Sequence, residues 1–293
     1  MIELTLTNTT SMHPSHRLNP GLTAYPAPLS GSGIVARWTR LVWHKLTARA
    51  VYLISPLCVL AVWTWLTQAH LFPPQILVAP LTVWHDFGAL LSSGELQANL
   101  GISLRRLILG FAAGALPGIV FGIALARSPR VEAYCGLSFA ALRQMPTLVM
   151  IPMFVLILGV DESLKIVIVA KASFFPIALA AREAVRAIPR SQLEVAQLLG
   201  LRGYTLYRQV IVPAIVSGIV TGMRIALGRS WLVLVSAELL AADSGIGEMM
   251  ELARESLQID TVMVCLFVTG MIGFLLDRGL RAIERTMLRW RHA

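Results

Sequence analysis

Leu107–Ala126 reads LILGFAAGALPGIVFGIALA, a run without a charged side chain. About 20 apolar residues cross the hydrocarbon core of a bilayer as a helix, in which every backbone polar group is satisfied inside the segment. This stretch therefore predicts a membrane span, and similar runs flank it. Val51–Gln68 is uncharged. Ala133–Val160 holds one charge, Arg143, and Ile166–Ala181 holds one, Lys171. Gln209–Ala237 is longer and holds Arg224 and Arg229, while Thr261–Leu276 is uncharged between Asp260 and Asp277. The pattern predicts an all-α integral membrane protein with six transmembrane helices. Leu81–Leu91 is apolar but too short to cross; Pro80 and Asp86 predict a helix lying at an interface.

Composition agrees. Of 293 residues, 56% are hydrophobic and 14% charged, against about 45–50% and about 25% in soluble domains. The mean hydropathy is +0.70. A soluble enzyme, a disordered chain and a disulfide-stapled domain are excluded. Cys58, Cys135 and Cys265 stand alone in apolar runs with no metal-ligand spacing, as small buried hydrophobes do.

The net charge of +9 has an orientational meaning. Placing both termini in the cytoplasm puts Arg37, Arg40, Lys45, Arg49, Arg127, Arg130, Arg182, Arg186, Arg190, Arg202, Arg208 and the arginines after Asp277 inside. Only Arg105, Arg106, Lys165 and Arg254 remain outside, as the positive-inside rule requires. No aromatic-interleaved basic groove suggests nucleic acid. Residues 1–49 read as a cytoplasmic tail, rich in Thr, Ser, Pro and Gly over 1–35, followed by an interfacial helix at Arg37–Arg49 carrying Trp38 and Trp43. Residues 50–94 hold the first span and an outer segment, and 95–293 the core.

Gly110, Gly114, Gly118 and Gly122 recur every fourth residue. Such a stripe lets helices approach closely in lipid; a packing face within the bundle is expected, with a dimer face as the alternative. Pro117, Pro146, Pro152 and Pro176 are expected to bend their helices.

Arg182–Val212, between the fourth and fifth spans, is punctuated as a short external helix. Pro189 breaks the preceding span, Ser191 stands three residues before Glu194 as a capping box, and Gly200 is placed as a stop. A helix over about 192–199 has only two turns and is not stable alone in water. Its apolar side chains, among them Leu193, Ala196 and Leu199, need a partner: either the chain's own bundle or another protein. A second short helix over about Tyr204–Val210 leads into Pro213.

Glu194-Val195-Ala196, Gly200 and Val210-Ile211-Val212-Pro213 resemble the E-A-A loop of ABC importer permeases, with Glu194, Ala196, Gly200 and Pro213 at the family's spacing. Arg143-Gln144-Met145-Pro146, Phe174-Phe175-Pro176, Arg224-Ile225-Ala226-Leu227-Gly228 and Ser236-Ala237-Glu238-Leu239-Leu240 with Ser244-Gly245-Ile246-Gly247 resemble the permeases of aliphatic sulfonate, taurine and nitrate importers. The resemblance covers about residues 95–291. It implies a type I ABC importer permease fold in a bacterial inner membrane. It also implies a coupling helix, with Ser191, Glu194, Ala196, Leu199, Gly200 and Pro213 as its residues, docked on an ATPase dimer. The further partners are a second permease copy and a periplasmic solute-binding protein. No Gly-rich loop ending in Lys-Ser or Lys-Thr is present, so ATP and magnesium are expected on the ATPase and no cofactor on this chain.

Charges within spans are costly, about 2.5–3.5 kcal/mol at the bilayer centre on insertion scales. Arg143, Lys171, Arg224, Arg229 and Glu238 are the candidate translocation-path residues. Lys171 and Arg224 either favour an anion in an aqueous path or bond carbonyls between helices. Glu238 is not expected to pair with either Arg224 or Arg229 within its own helix. Asp243, Glu248, Glu251, Glu255 and Asp260 form an acidic outer segment, read either as a solvated helix or as the place where the binding protein meets the chain. A secondary transporter or channel working without ATP is the alternative; no inverted repeat supports it. His44, His70 and His85 form no catalytic or metal-ligand set.

Overall fold

The computed structural model describes residues 54–69, 71, 73 and 76–287. The expected tail and the helix at Arg37–Arg49 lie outside them, as do His44 and His70. The chain divides into two units, Met1–Val59 and Leu60–Ala293; only 54–59 of the first are described, and the packing below is that of the second.

Every described regular element is helical: α1 (Ile54–Gln68), α2 (Pro80–Ser93), α3 (Glu95–Arg127), α4 (Pro129–Gln144), α5 (Ile151–Leu158), α6 (Glu162–Arg186), α7 (Arg190–Leu198), α8 (Gly203–Leu206), α9 (Val212–Ala241), α10 (Ile246–Glu255) and α11 (Ile259–Met287). Prolines open α2, α4 and α9 within their first turns, where a missing N–H leaves no bond unmade. A π-helical stretch, Tyr207–Ile211, joins α8 to α9, so that Gly203–Ala241 is one continuous rod rather than a short helix followed by a span.

The span count differs from the six expected. Among the described residues four helices are long and apolar enough to cross a membrane: α3, α6, the α8–α9 rod and α11. A fifth exists only if α4 and α5 count together, because the expected span 133–160 is bent by 86° between them. Pro146 cannot donate a backbone hydrogen bond and disfavours helix at Met145, which adopts φ −70° and ψ 116°. Pro117 and Pro176, by contrast, lie inside helices that run on past them. The described part of the first expected span, α1, is too short to cross alone.

Close approach builds the centre. α6 lies between α3 and α9. A Cβ at Gly110 would meet Val169 at 2.6 Å; at Gly114 it would overlap the Ala170 carbonyl and Ser173; at Gly118 it would meet the Phe174 carbonyl at 2.9 Å; at Gly122 it would overlap the Ala178 carbonyl. The glycine stripe is thus an internal seam against α6, and the alternative of a dimer face is not what these residues form. On the other side of α6, a Cβ at Gly218 would meet that of Ala184 at 2.7 Å, and Gly222 opposes Ala180. Phe121, Phe139, Phe174 and Phe175 fill the space between α3, α4 and α6 with ring centroids 5.1–6.5 Å apart. α11 is tied to α9 by Trp231, whose indole N–H donates to the Thr269 carbonyl at 3.0 Å.

The exterior is apolar. Leu116, Val120, Leu137 and Leu156 are all more than two-thirds exposed, as side chains facing lipid tails are. The interior is mostly apolar as well, but it encloses polar residues, among them Ser103, Arg106, Lys165, Ser173, Ser230 and Glu238, each 2% exposed or less. Arg106 and Lys165, expected in outer segments, are enclosed because α3 and α6 begin before the apolar runs do.

Gly114→Ala is expected to lower thermal stability in detergent by the equivalent of about 1–3 kcal/mol, the usual effect of overpacking. Gly101→Ala on the same helix, with nothing within 4 Å of the added methyl, is expected to be neutral or stabilising. Equal unfolding midpoints for the two variants would contradict the seam.

Candidate functional site

The short helix α7 spans Arg190–Leu198, starting two residues earlier than expected. Pro189 occupies its N-cap position and no side chain caps it: the Ser191–Glu194 capping box does not form, because both residues already lie inside the helix. Its C-terminal end is built as expected. Gly200 takes φ +77°, the Leu201 N–H donates to the Ala196 carbonyl at 3.0 Å, and the Gly200 N–H donates to the Gln197 carbonyl at 3.0 Å. This pair of bonds is a Schellman motif, which favours glycine because a Cβ strains the left-handed conformation.

The chain's own bundle is the partner of some of the apolar residues of α7 and not of others. Ala196 is 4% exposed and Leu193 packs with Ile211, Ile215 and Ala181, so this edge is mounted on the bundle. Val195, Leu198 and Leu199 are 55%, 87% and 75% exposed, with Ser191 and Glu194 exposed as well. Ala196 therefore seats the helix, while the free apolar face is Val195, Leu198 and Leu199. Pro213 lies in the first turn of α9, beside the cavity under Pro189, Gln192 and Val210.

At the opposite end of α6 an ion cluster, buried at Arg106 and Glu238 and open to the surface at Glu162, ties five segments together. Arg106 of α3 donates from Nε to Glu162 of α6 at 3.0 Å, from Nη1 to Glu238 of α9 at 2.9 Å and to the Ser244 carbonyl at 2.6 Å, and from Nη2 to Ser244 Oγ at 2.8 Å and to Glu162. All five guanidinium N–H groups are used. Ser103, one turn before Arg106, donates to Glu238 at 2.8 Å and accepts from the Ile246 N–H at 2.9 Å; the Gly247 N–H donates to Glu238 at 3.2 Å. Gly245 has φ +112°, and a Cβ there would stand 2.6 Å from the Glu238 carboxylate and 2.9 Å from Arg106. The cluster thus fixes the turn that launches α10. Lys165, nearby on α6, bonds the Val160 carbonyl.

The remaining candidate path residues separate. Arg143, Lys171 and Arg229 line one cavity of about 640 Å³ between the α4–α5 break, α6 and α9, with Thr147, Phe175 and Glu183. Lys171 donates to the Met145 carbonyl at 3.0 Å and to Thr147 Oγ1 at 3.2 Å, so interhelical carbonyl bonding is what this residue shows. Arg224 does not line that cavity. It pairs with Glu284 of α11 at 2.6 Å and with Asp277 at 3.7 Å, and Thr221 donates to the same Glu284 at 2.6 Å.

Arg106, Glu162, Ser103 and Glu284 were not singled out in the sequence. Spacing held a signal for each pair: Ser103 and Arg106 share one face of α3, and Asp277 and Glu284 share one face of α11. Which helix supplied the opposite charge was not readable without tertiary contacts. Outside the spans, burial first, then Asp243, Glu238 and Glu95, push the Glu248 carboxyl of α10 above its ordinary 4.5.

Four or five apolar spans among the described residues, a lipid-type exterior and an external helix mounted by one edge define a multi-pass membrane protein. Residues 118–289 match the family described as binding-protein-dependent transport system inner membrane component, and the chain belongs to that family. It is 35% identical over 241 residues to the putative aliphatic sulfonates transport permease protein of Bacillus subtilis (strain 168), covering 82% of this chain and 87% of the relative. It is 35% identical over 260 residues to the taurine transport system permease protein of Escherichia coli (strain K12), covering 86% and 94%. A chain in the crystal structure of an amino acid ABC transporter with histidines superposes with a TM-score of 0.55 at 16% identity, covering 68% of this chain and 97% of that one, a likeness of fold. The chain is a permease subunit of an ABC importer, in which a separate subunit hydrolyses ATP.

Arg106→Met is expected to destabilise the protein by about 3–5 kcal/mol, because Glu238 is left buried without its counter-ion. Arg106→Lys is expected to rescue only in part, since three donors on a point charge cannot reproduce the planar fork. Melting in detergent measures both. For Glu248, the raised carboxyl value makes its charged form the disfavoured one in the fold, so its contribution is intact below pH 4.5 and lost as pH rises. Glu248→Gln is expected to melt higher than wild type at pH 7, with the gain vanishing near pH 4.

Proposed function

We propose that this subunit imports a small anion by alternating access. α7 is the coupling helix, docking on the ATPase through Val195, Leu198 and Leu199 with Glu194 beside them, and Gly200 presents it by reversing the chain. The observation that carries this reading is the division of α7 into a mounted edge and a free apolar edge, which suits a peg seated in a partner's groove.

The assembly pairs two copies of this permease with two ATPase subunits, which bring ATP and magnesium; this chain supplies no cofactor site of its own. The end bearing α7 faces the cytoplasm, because Arg127, Arg130, Arg182, Arg186, Arg190, Arg202 and Arg208 collect there and cationic loops stay inside. Both termini are then cytoplasmic, and α10 with its acidic residues faces the periplasmic solute-binding protein. Closure of the ATPase dimer draws the two α7 helices together and turns the bundle from inward-open to outward-open.

The cargo is a sulfonate, taurine, nitrate or a similar small anion. The names of the relatives support this class, and so do Arg143, Lys171 and Arg229 around one cavity. Arg224 is assigned to holding α11 against α9, and Glu238 to the buried cluster.

Leu198→Glu alters a side chain 87% exposed, so the permease is expected to fold and purify normally. Its yield of co-purified ATPase is expected to fall at least tenfold, the equivalent of about 1.4 kcal/mol. Undiminished co-purification would refute the docking face. Ala196→Asp, in contrast, is expected to disrupt the permease itself.

A further inference from the structure

The break between α4 and α5 creates an unmet need. The last carbonyls of a helix have no intrahelical donor, and hydrocarbon offers none. Pro146 has no N–H to give. The Met145 carbonyl instead accepts from the Lys171 ammonium at 3.0 Å, while Thr147 Oγ1 accepts from it at 3.2 Å. A side chain of α6 thereby caps the end of α4, with the sign of charge that a helix C-terminus favours. Phe175, one turn further along α6, places its ring centroid 5.6 Å from the same ammonium.

That ammonium also borders the cavity that holds Arg143 and Arg229, in which Glu183 is the one carboxylate among the described residues. Three cations against one acid leave the cavity positive. The lysine stem is flexible and its three donors can be redirected. The bond from the ammonium to the Met145 carbonyl is already charge-assisted, but an oxyanion adds the attraction of a full opposite charge, which a carbonyl dipole does not carry. We infer that a small oxyanion entering this cavity takes the Lys171 ammonium away from the Met145 carbonyl, so that occupancy of the cavity and the bend of α4 against α5 are linked. The inference rests on the anion-importer reading above and adds to it a device by which the membrane subunit registers its own cargo. Withdrawal of the cap loosens the break. By reciprocity, a bend that carries Met145 away from α6 frees the ammonium and raises the affinity for the anion.

The test is hydrogen–deuterium exchange over residues 143–150 in the reconstituted permease–ATPase complex, titrated in separate arms with ethanesulfonate and nitrate. In wild type, exchange of this segment is expected to rise several-fold and saturably with at least one of the anions and not with glycerol, while residues 107–122 of α3 stay protected. Lys171→Met is expected to exchange fast from the start and to ignore both anions; Lys171→Arg is expected to keep a response. Thr147→Val leaves every charge in place and removes one partner of the ammonium, so its half-maximal anion concentration is expected to fall. ATP-driven uptake with the solute-binding protein is measured on the same preparation. Uptake without any change over 143–150, or a Lys171→Met variant that responds as wild type does, overturns the inference alone. Absence of uptake for both anions removes the anion-cargo reading and the inference with it.

Discussion

The contact on which the molecule depends is that of α3 on α6. Lipid tails are as apolar as leucine, so burying hydrocarbon gives helices in a bilayer no net reason to associate. What remains is dispersion at short range and polar bonds between helices. Four glycines on α3 admit the backbone of α6 to distances that no Cβ tolerates, and α6 offers small residues on its other face to α9. With α6 fixed between two neighbours, its polar side chains have fixed surroundings: Glu162 and Lys165 near one end, Lys171 at the bend of α4 and α5.

The placing of the enclosed polar residues follows from the same constraint. A charge enclosed in a bilayer protein needs a partner: Lys165 finds the Val160 carbonyl close by in the chain, whereas the counter-ions of Arg106 and Arg224 come from other helices. Arg106 is 2% exposed and meets acids from α6 and α9; Arg224 meets acids from α11. Such pairs hold rotation and register where packing alone would permit sliding, because moving either helix by one turn strands a charge. The Ser244–Gly247 turn joins this arrangement through backbone N–H groups, so α10 is held by hydrogen bonds and not by apolar contact alone.

Much of this was legible before any coordinate. Hydropathy found the spans at α3, α6, α9 and α11 though not the count of six, four-residue spacing found the seam on α3, and the E-A-A spacing found α7 with its glycine stop. The failures have physical causes. The Ser191–Glu194 pattern fits a capping box equally well when the helix starts earlier, and Pro189, whose fixed φ suits a helix entry, took the N-cap instead. Pro146 and Pro117 look alike in sequence. One breaks a helix where Lys171 can satisfy the exposed carbonyl, whereas the other stands within α3, which runs on past it against α6. Ala196 matched a motif for docking yet is buried in its own chain, because a peg must be rooted before it can be pushed. The hydrogen-bond partners of Arg106 and Arg224 lie 56 to 138 residues away along the chain, beyond what periodicity can report.

The length of α6 has a mechanical consequence. From Glu162 to Arg186 it is a single helix, about 37 Å from end to end. Four residues after its last turn the chain is already helical again as α7, and at its first turn it is clamped to the Arg106 cluster. A rod pinned at its far end and gripped along both flanks has little slack. A load applied at α7 therefore travels along it to the opposite membrane face, and the stroke delivered there is set by how far the rod can tilt rather than by how far it can stretch.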